Sequence, residues 1–449
     1  MENKNNRPLF HITGNKGWIN DPNGLIKFKG LYHAFFQYYP NDVNWGPMHW
    51  GHRVSKDLIH WDELPTALYP KTLSGEDGCF SGTSIIHNDT LYLVYTGFYE
   101  NGGGENIRQV QCLASSKDGL TFTKHGIIVG ESDLPDYINP SDFRDPKVWK
   151  ENDIFYMVVA ARKKEGKGHI LLFKSKDLLE WEFVSDFLGK ESKGSMIECP
   201  DYISNLNLLI YSEQFQPNEG SKHLNIHSNR YALGKFDLDK NVFIENKTDI
   251  VDYGFDFYAP QVFANENVLM AWLNMWDRNN PSGEFGFAGQ LTVPRKIEVV
   301  NGELLQTPVW DYSNKEENNL KDSLKDNFKY GALKFNLKDL KKFDLKLRVK
   351  DEQCFKVTLG NDEFIFDRSK MKNQITGAEK DQDSLNGIRR MPINNLEEVT
   401  IEVIMDEYSL EFFINGKSAS FQVYNDFDAD GVELDFEASN CEYIKSNYR

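Results

Sequence analysis

Asp21, Asp145 and Glu198 are the residues of this chain best suited to do chemistry, because their surroundings recur. Asp21 lies in Trp18-Ile19-Asn20-Asp21-Pro22-Asn23-Gly24, Asp145 in Phe143-Arg144-Asp145-Pro146-Lys147, and Glu198 in Glu198-Cys199-Pro200. All three occupy one phase of an internal repeat, each just ahead of short apolar runs that read as strands. Acids at one phase of a closed repeat converge on one axis, however far apart they lie in sequence. Three converging carboxylates point to acid–base or nucleophilic chemistry on a polar, uncharged bond.

The elements that must position them follow from the repeat. Ser55-Lys56-Asp57-Leu58-Ile59-His60-Trp61 recurs as Ser116-Lys117-Asp118-Gly119-Leu120-Thr121-Phe122 and as Ser175-Lys176-Asp177-Leu178-Leu179-Glu180-Trp181, at offsets of 61 and 59 residues. Lys235-Phe236-Asp237-Leu238 is a weaker fourth copy. Runs rich in β-branched and aromatic residues mark one strand per unit: 31–38, 91–96, 154–160, 206–212 and 268–273. Helical periodicity is scarce before residue 300. A period this long with several short strands per unit predicts five four-stranded blades around a central channel. The runs that open the units are Asp21-Pro22-Asn23-Gly24, Phe80-Ser81-Gly82-Thr83, Arg144-Asp145-Pro146, Glu198-Cys199-Pro200 and Tyr258-Ala259-Pro260-Gln261. Their spacing predicts that they are the innermost strands and line one funnel. Punctuation of strand starts is the bland reading of a single X-Pro pair; five openers in phase outweigh it.

Composition narrows the classes. The 449 residues carry a net charge of −17, which argues against nucleic acid or an anionic membrane as a partner. The polar stretch 1–10 has no apolar core of a signal peptide, and no run approaches the roughly 20 apolar residues of a membrane span. Five cysteines without a CxxC pair fit a reduced, cytoplasmic protein. His49 and His52 form His-x-x-His, but the segment reads as strand and loop with no third ligand at helical spacing, so no metal site is expected.

The first unit is expected to span residues 1–302 and the polar, charged stretch 303–325 to link it to a second unit, 326–449. The second unit alternates in period two, as at Phe343-Leu345-Leu347-Val349 and Val399-Ile401-Val403, and Asn415-Gly416 is a strong hairpin turn. These strands predict an antiparallel β-sandwich. Its strand openers carry no matching acids, so it reads as a packing or substrate-edge module. The fold class is all-β: a five-bladed β-propeller followed by a C-terminal β-sandwich.

With these motifs in view, the chain resembles the β-fructofuranosidases, glycoside hydrolase family 32. Asp21-Pro22-Asn23-Gly24 is similar to that family's Asp-Pro-Asn-Gly signature. Phe36-Gln37-Tyr38, Trp45-Gly46-Pro47-Met48-His49-Trp50-Gly51-His52, Phe80-Ser81-Gly82, Arg144-Asp145-Pro146, Glu198-Cys199-Pro200, Asp256-Phe257-Tyr258-Ala259-Pro260-Gln261, Gly289-Gln290-Leu291-Thr292-Val293-Pro294-Arg295 and Phe366-Asp367-Arg368-Ser369 follow in order. The resemblance implies a propeller followed by a sandwich. It also implies roles: Asp21 the nucleophile on the anomeric carbon, Glu198 the general acid and then base, Asp145 the transition-state stabiliser. Gln37, Trp45, Phe80 and Ser81 match positions lining the fructosyl pocket; Asn20, Arg144, Tyr258 and Trp272 are further binding candidates.

An oxocarbenium-like transition state needs a carboxylate at the anomeric carbon and a protonated carboxyl at the leaving oxygen, with no cofactor. Retention implies the two about 5–5.5 Å apart. The local sequence favours an ionised Asp21, with Asn20 as donor, and a protonated Glu198. Arg144 is expected to keep Asp145 ionised. Absence of an export signal and compact length favour sucrose 6-phosphate and sucrose as the sugar substrates, with short fructans or fructosyl transfer as alternatives. An inverting arabinan-type hydrolase and a non-enzymatic sugar-binding propeller fit the signatures less well. No dedicated phosphate site stands out in the sequence: Arg53, Lys16 and His49 lie in plausible loops, but surface lysines and arginines are ordinarily just solvated.

Overall fold

The computed structural model describes residues 6–72, 75–100 and 107–449, so the first five residues of the polar amino-terminal stretch lie outside it. The first unit is the expected five-bladed propeller. Its innermost strands are Gly17–Phe28, Gly78–His87, Ile138–Glu151, Met196–Ile203 and Tyr258–Val262. Each leads an antiparallel four-stranded meander, and the five contact one another in a ring around the channel. The ring is closed by Phe287–Ala288, which pairs in parallel with Gly17 and Trp18.

The sandwiching of blades explains why the second strands read as unbroken apolar runs rather than alternation. In Ile154–Lys163, Met157, Val159 and Ala161 face the core shared with the second blade, while Val158 and Ala160 face the core shared with the fourth. Each side chain leaves water on its own face of the sheet, so both phases must be apolar. The repeated Ser-Lys-Asp motif is the turn between the third and fourth strands. Asp177 Oδ1 accepts from the backbone N–H of Leu179 and Glu180, and Ser175 Oγ from that of Leu178. Asp57 and Asp118 repeat these contacts in their own blades.

The stretch expected as a linker is mostly strand. Glu303–Pro308 is the outer strand of the fifth blade, while Glu316–Leu320 and Ser323–Asn327 are edge strands of the two sheets of the second unit. Most of the side chains of the two sandwich-edge strands are exposed, which removes the apolar alternation that would mark them in sequence.

The second unit is a sandwich of two six-stranded antiparallel sheets closed over one apolar core, including Leu345, Leu347, Phe355, Phe366, Phe412 and Phe421. Its Asn415-Gly416 turn joins Ser409–Ile414 to Lys417–Gln422, with both turn residues at positive φ. Among the described residues no helix is long and apolar enough to cross a membrane.

Candidate active site

Every innermost strand carries one extra residue at its opener. Asn20 and Asp21 face only Gln37; Ser81 is unopposed; Asp145 and Pro146 face Val159; Cys199 and Pro200 face Tyr211; Ala259 and Pro260 face Ala271. These are β-bulges, which re-aim side chains and tolerate the missing N–H of proline. The X-Pro pairs are thus bulges inside strands rather than strand starts. Asp145, Cys199 and Ala259 adopt left-handed φ of 64°, 48° and 49°, costly for non-glycine residues and held by the surrounding sheet.

The bulges bring the three acids to one pocket of about 250 Å³, lined by Asn20, Asp21, Gln37, Trp45, Phe80, Ser81, Gln109, Arg144, Asp145, Glu198 and Trp276. Asp21 is only 9% exposed. Its carboxylate accepts from Ser81 Oγ at 2.6 Å and Asn20 Nδ2 at 3.1 Å, and Asn20 is itself held by Trp18 Nε1 at 2.8 Å. Asp145 Oδ2 accepts the Cys199 N–H at 2.9 Å, and its own N–H donates to Thr96 Oγ1 at 2.9 Å. Glu198 takes Arg144 Nη2 at 2.9 Å on one oxygen and the Tyr258 hydroxyl at 2.5 Å on the other.

Of the eight binding residues expected from sequence, six line the pocket. Gln37 donates to the Cys79 carbonyl at 3.0 Å, and Phe80 stacks on Phe98 at 4.5 Å. Trp45, 47% exposed, meets Phe80 edge-on at the mouth. Tyr258 and Trp272 are not among the lining residues. Tyr258 acts on Glu198 from behind, and Trp272, fully buried, packs against Trp18 and Trp276. Gln109 and Trp276 do line the pocket and carried no sequence signal, since Gln109 lies on a third strand and Trp276 in a loop, away from any opener. Asp142, also unforeseen, clamps Arg144 at 3.2 Å and Arg162 at 2.8 Å. None of Lys16, His49 and Arg53 lines the pocket: His49 bonds the Pro47 carbonyl, and Arg53 bonds Thr13 and Asn15.

The protonation pattern reverses the expectation from local sequence. Burial pushes the Asp21 carboxyl up, only partly opposed by Ser81, and the charge of Glu198 adds to the rise. Burial also raises Asp145, to about 7, with Arg144 opposing and the other two acids adding. Burial would raise Glu198 as well, but the Arg144 charge, then the Tyr258 hydroxyl, outweigh it and hold the group below the usual carboxylate range. The physical reason is direction. Arg144 is the chain neighbour of Asp145, yet its guanidinium donates two hydrogen bonds to Glu198 from the next blade. The surroundings therefore favour a proton on the aspartates and the ionised form of Glu198. A pocket with two acids of opposite bias beside uncharged donors is equipped for acid and nucleophile roles on a neutral substrate.

Residues 11–308 match the glycosyl hydrolases family 32 N-terminal domain, and 303–446 match the glycosyl hydrolases family 32 C terminal. A sucrose-6-phosphate hydrolase of Zymomonas mobilis is 36% identical over 432 residues, covering 91% of this chain and 83% of that protein. A raffinose invertase of Escherichia coli is 32% identical, covering 97% and 93%. Among solved structures, sucrose-6-phosphate hydrolase from Lactobacillus gasseri superposes with a TM-score of 0.89 at 25% identity, covering 99% of this chain and 94% of that one. A Bombyx mori GH32 beta-fructofuranosidase gives 0.83 at 30%, covering 98% and 93%.

Proposed function

This chain belongs to glycosyl hydrolase family 32, and on that premise we propose that its pocket removes the terminal β-D-fructofuranosyl unit of sucrose 6-phosphate and of sucrose, with retention. The observation that carries the reading is the convergence of Asp21, Asp145 and Glu198 on one small pocket among sugar-binding side chains. The names of the relatives support the substrate class.

In the first step Asp21 Oδ bonds to the anomeric carbon, the bond to the leaving oxygen breaks, and Glu198 gives that oxygen its proton. In the second, water attacks the same carbon, its proton returns to Glu198, and Asp21 is released. Asp145 holds fructosyl hydroxyls as charge develops. The proton for Glu198 comes from within the trio. Sugar hydroxyls compete for the Arg144 N–H groups, which weakens the hold on Glu198 as an anion, and the aspartates give up the proton they carry. Ser81 and Asn20 then stabilise the ionised Asp21. Five cysteines free of disulfides fit work in a reducing cytoplasm.

Two measurements test this. Asp21→Ala and Glu198→Ala should each lower turnover of sucrose by about 10³-fold or more with the fold intact; near-normal turnover in either would sink the roles. A side-by-side kcat/KM for sucrose, sucrose 6-phosphate and inulin, following released fructose, separates the substrates. A preference for inulin would move the assignment to fructan hydrolysis.

A further inference from the structure

Resting on that reading, we propose that Lys380, carried by the sandwich, receives the phosphate of a phosphorylated leaving sugar. The general acid fixes where the leaving group lies, and the residues beyond Glu198 can be followed outward. The Tyr258 ring, whose hydroxyl holds Glu198, lies 5.8 Å from the His227 ring. His227 meets Phe215 edge-on at 4.8 Å and accepts its N–H at 3.3 Å. Phe215 is 59% exposed, so this chain of contacts ends at the surface. The carbonyl of the next residue, Gln216, accepts from Lys380 Nζ, as does the carbonyl of His223 at 3.1 Å. Lys380 and Glu198 act on the same imidazole. Burial lowers the His227 pKa most, Glu198 opposes that, and Lys380 adds to it.

Lys380 differs from the other cations on this side. Arg144 pairs with Asp142 and Glu198, Arg162 with Asp142, Lys193 and Arg230 with Glu219, and Lys222 with Asp249. Lys380 pairs with no carboxylate among the described residues; two carbonyl dipoles hold it instead. Neighbouring Asp381 is spent on Ser384. Burial, with Arg389 adding, lowers Lys380 to about 8, so it remains mostly cationic at neutrality. A half-buried ammonium without a counter-ion, in a chain of charge −17, gains from an incoming anion.

The position is built rather than incidental. Glu379 is held between Arg278 at 2.9 Å and Arg389 at 3.2 Å. Thr376 donates its N–H to Asn279 Oδ1 at 2.8 Å and accepts the Asn279 N–H at 3.2 Å. At Gly377 an added Cβ would lie 2.6 Å from Arg278 Cγ, so the loop sits directly on the propeller. The sandwich thereby carries Lys380 onto the fourth-blade segment that holds Phe215 and His227, whereas the residues lining the pocket all belong to the propeller.

The test is inhibition of sucrose hydrolysis by glucose 6-phosphate and by glucose. The wild type should bind glucose 6-phosphate about ten- to a hundredfold more tightly, the range of one charge-assisted contact. Lys380→Gln, which can still bond both carbonyls without the charge, should bring the two inhibition constants together and leave kcat/KM for sucrose within about twofold. Lys380→Arg should keep the preference. Equal binding by the wild type, or a preference surviving in Lys380→Gln, overturns the proposal. Should the chain release fructose from neither sucrose nor its 6-phosphate, the proposed reaction fails separately. Calorimetric titration of the wild type and Lys380→Gln with glucose 6-phosphate then still decides the phosphate site, with equal affinities counting against it.

Discussion

At the scale of the residue, the site is governed by which acid the one pocket guanidinium addresses. Arg144 and Tyr258 together favour the ionised form of Glu198, opposing the burial that favours its neutral form. Removing one of them must therefore raise the Glu198 pKa. Activity is lost when the trio gives up its shared proton, and a Glu198 that competes better for that proton keeps it to higher pH, so Tyr258→Phe should move the alkaline limb of the kcat/KM profile upward, by about one pH unit or less. An unmoved limb, or one that moves down, would mean that Tyr258 does not act through Glu198. The identities of the three acids were legible from their shared phase, whereas their protonation was not. Sequence adjacency placed Arg144 beside Asp145, but the left-handed φ at Asp145 turns neighbouring side chains to different partners. Gln109 and Trp276 escaped for a related reason: a pocket wall can be made by any strand or loop that ends near the channel mouth, and only the openers carry a phase.

At the scale of the element, the bulge is the device that makes a propeller strand into a site. One extra residue per innermost strand turns Asp21, Ser81, Asp145 and Cys199 toward the channel; proline lies in three of the five bulges and directly follows a fourth. The Ser-Lys-Asp turns have a separate, structural task at the outer side of three blades. Asp177→Ala would strip two backbone N–H groups of their acceptor, so stability should fall by about 1 kcal/mol in denaturant unfolding with turnover unchanged. Loss of turnover at native stability would show that the turn is coupled to the pocket. The repeat made both features readable because each recurs. The edge strands Glu316–Leu320 and Ser323–Asn327 were hidden because each offers a single apolar residue, Leu320 and Leu324, too few to make a period.

At the scale of the whole molecule, buried charge joins propeller and sandwich. His11, next to the first blade, bonds Asp406 at 2.8 Å and Glu411 at 2.7 Å in the sandwich, while Arg295 of the fifth blade pairs with Asp252 at 3.0 Å and also with Glu411. Asp256 pairs with Arg278 at 2.6 Å on its own side and with Arg368 at 2.8 Å across the interface. Burial would lower the His11 pKa, but Asp406 and Glu411 outweigh it and raise it to about 9. A group raised above its unfolded value of about 6.5 contributes stability fully below that pH and loses it as pH rises through 9. Thermal stability of the wild type should therefore fall between about pH 6.5 and 9, by an amount of the order of 3 kcal/mol. His11→Gln should be less stable at pH 6 and flatter across that window; parallel profiles would exclude His11 as the linked group. Sequence showed two units and their order, but not this seam, because its partners lie more than 100 residues apart and share no period.

On the proposed mechanism Asp21 attacks the fructosyl carbon while Glu198 serves the leaving oxygen of the same bond. The most direct measurement is the configuration of the transfer product. Sucrose turned over in aqueous methanol, with the methyl fructofuranoside identified by NMR as it forms, should give the β-anomer, since two displacements at one carbon restore its starting configuration. The α-anomer would mean a single inverting displacement and would contradict a nucleophilic Asp21.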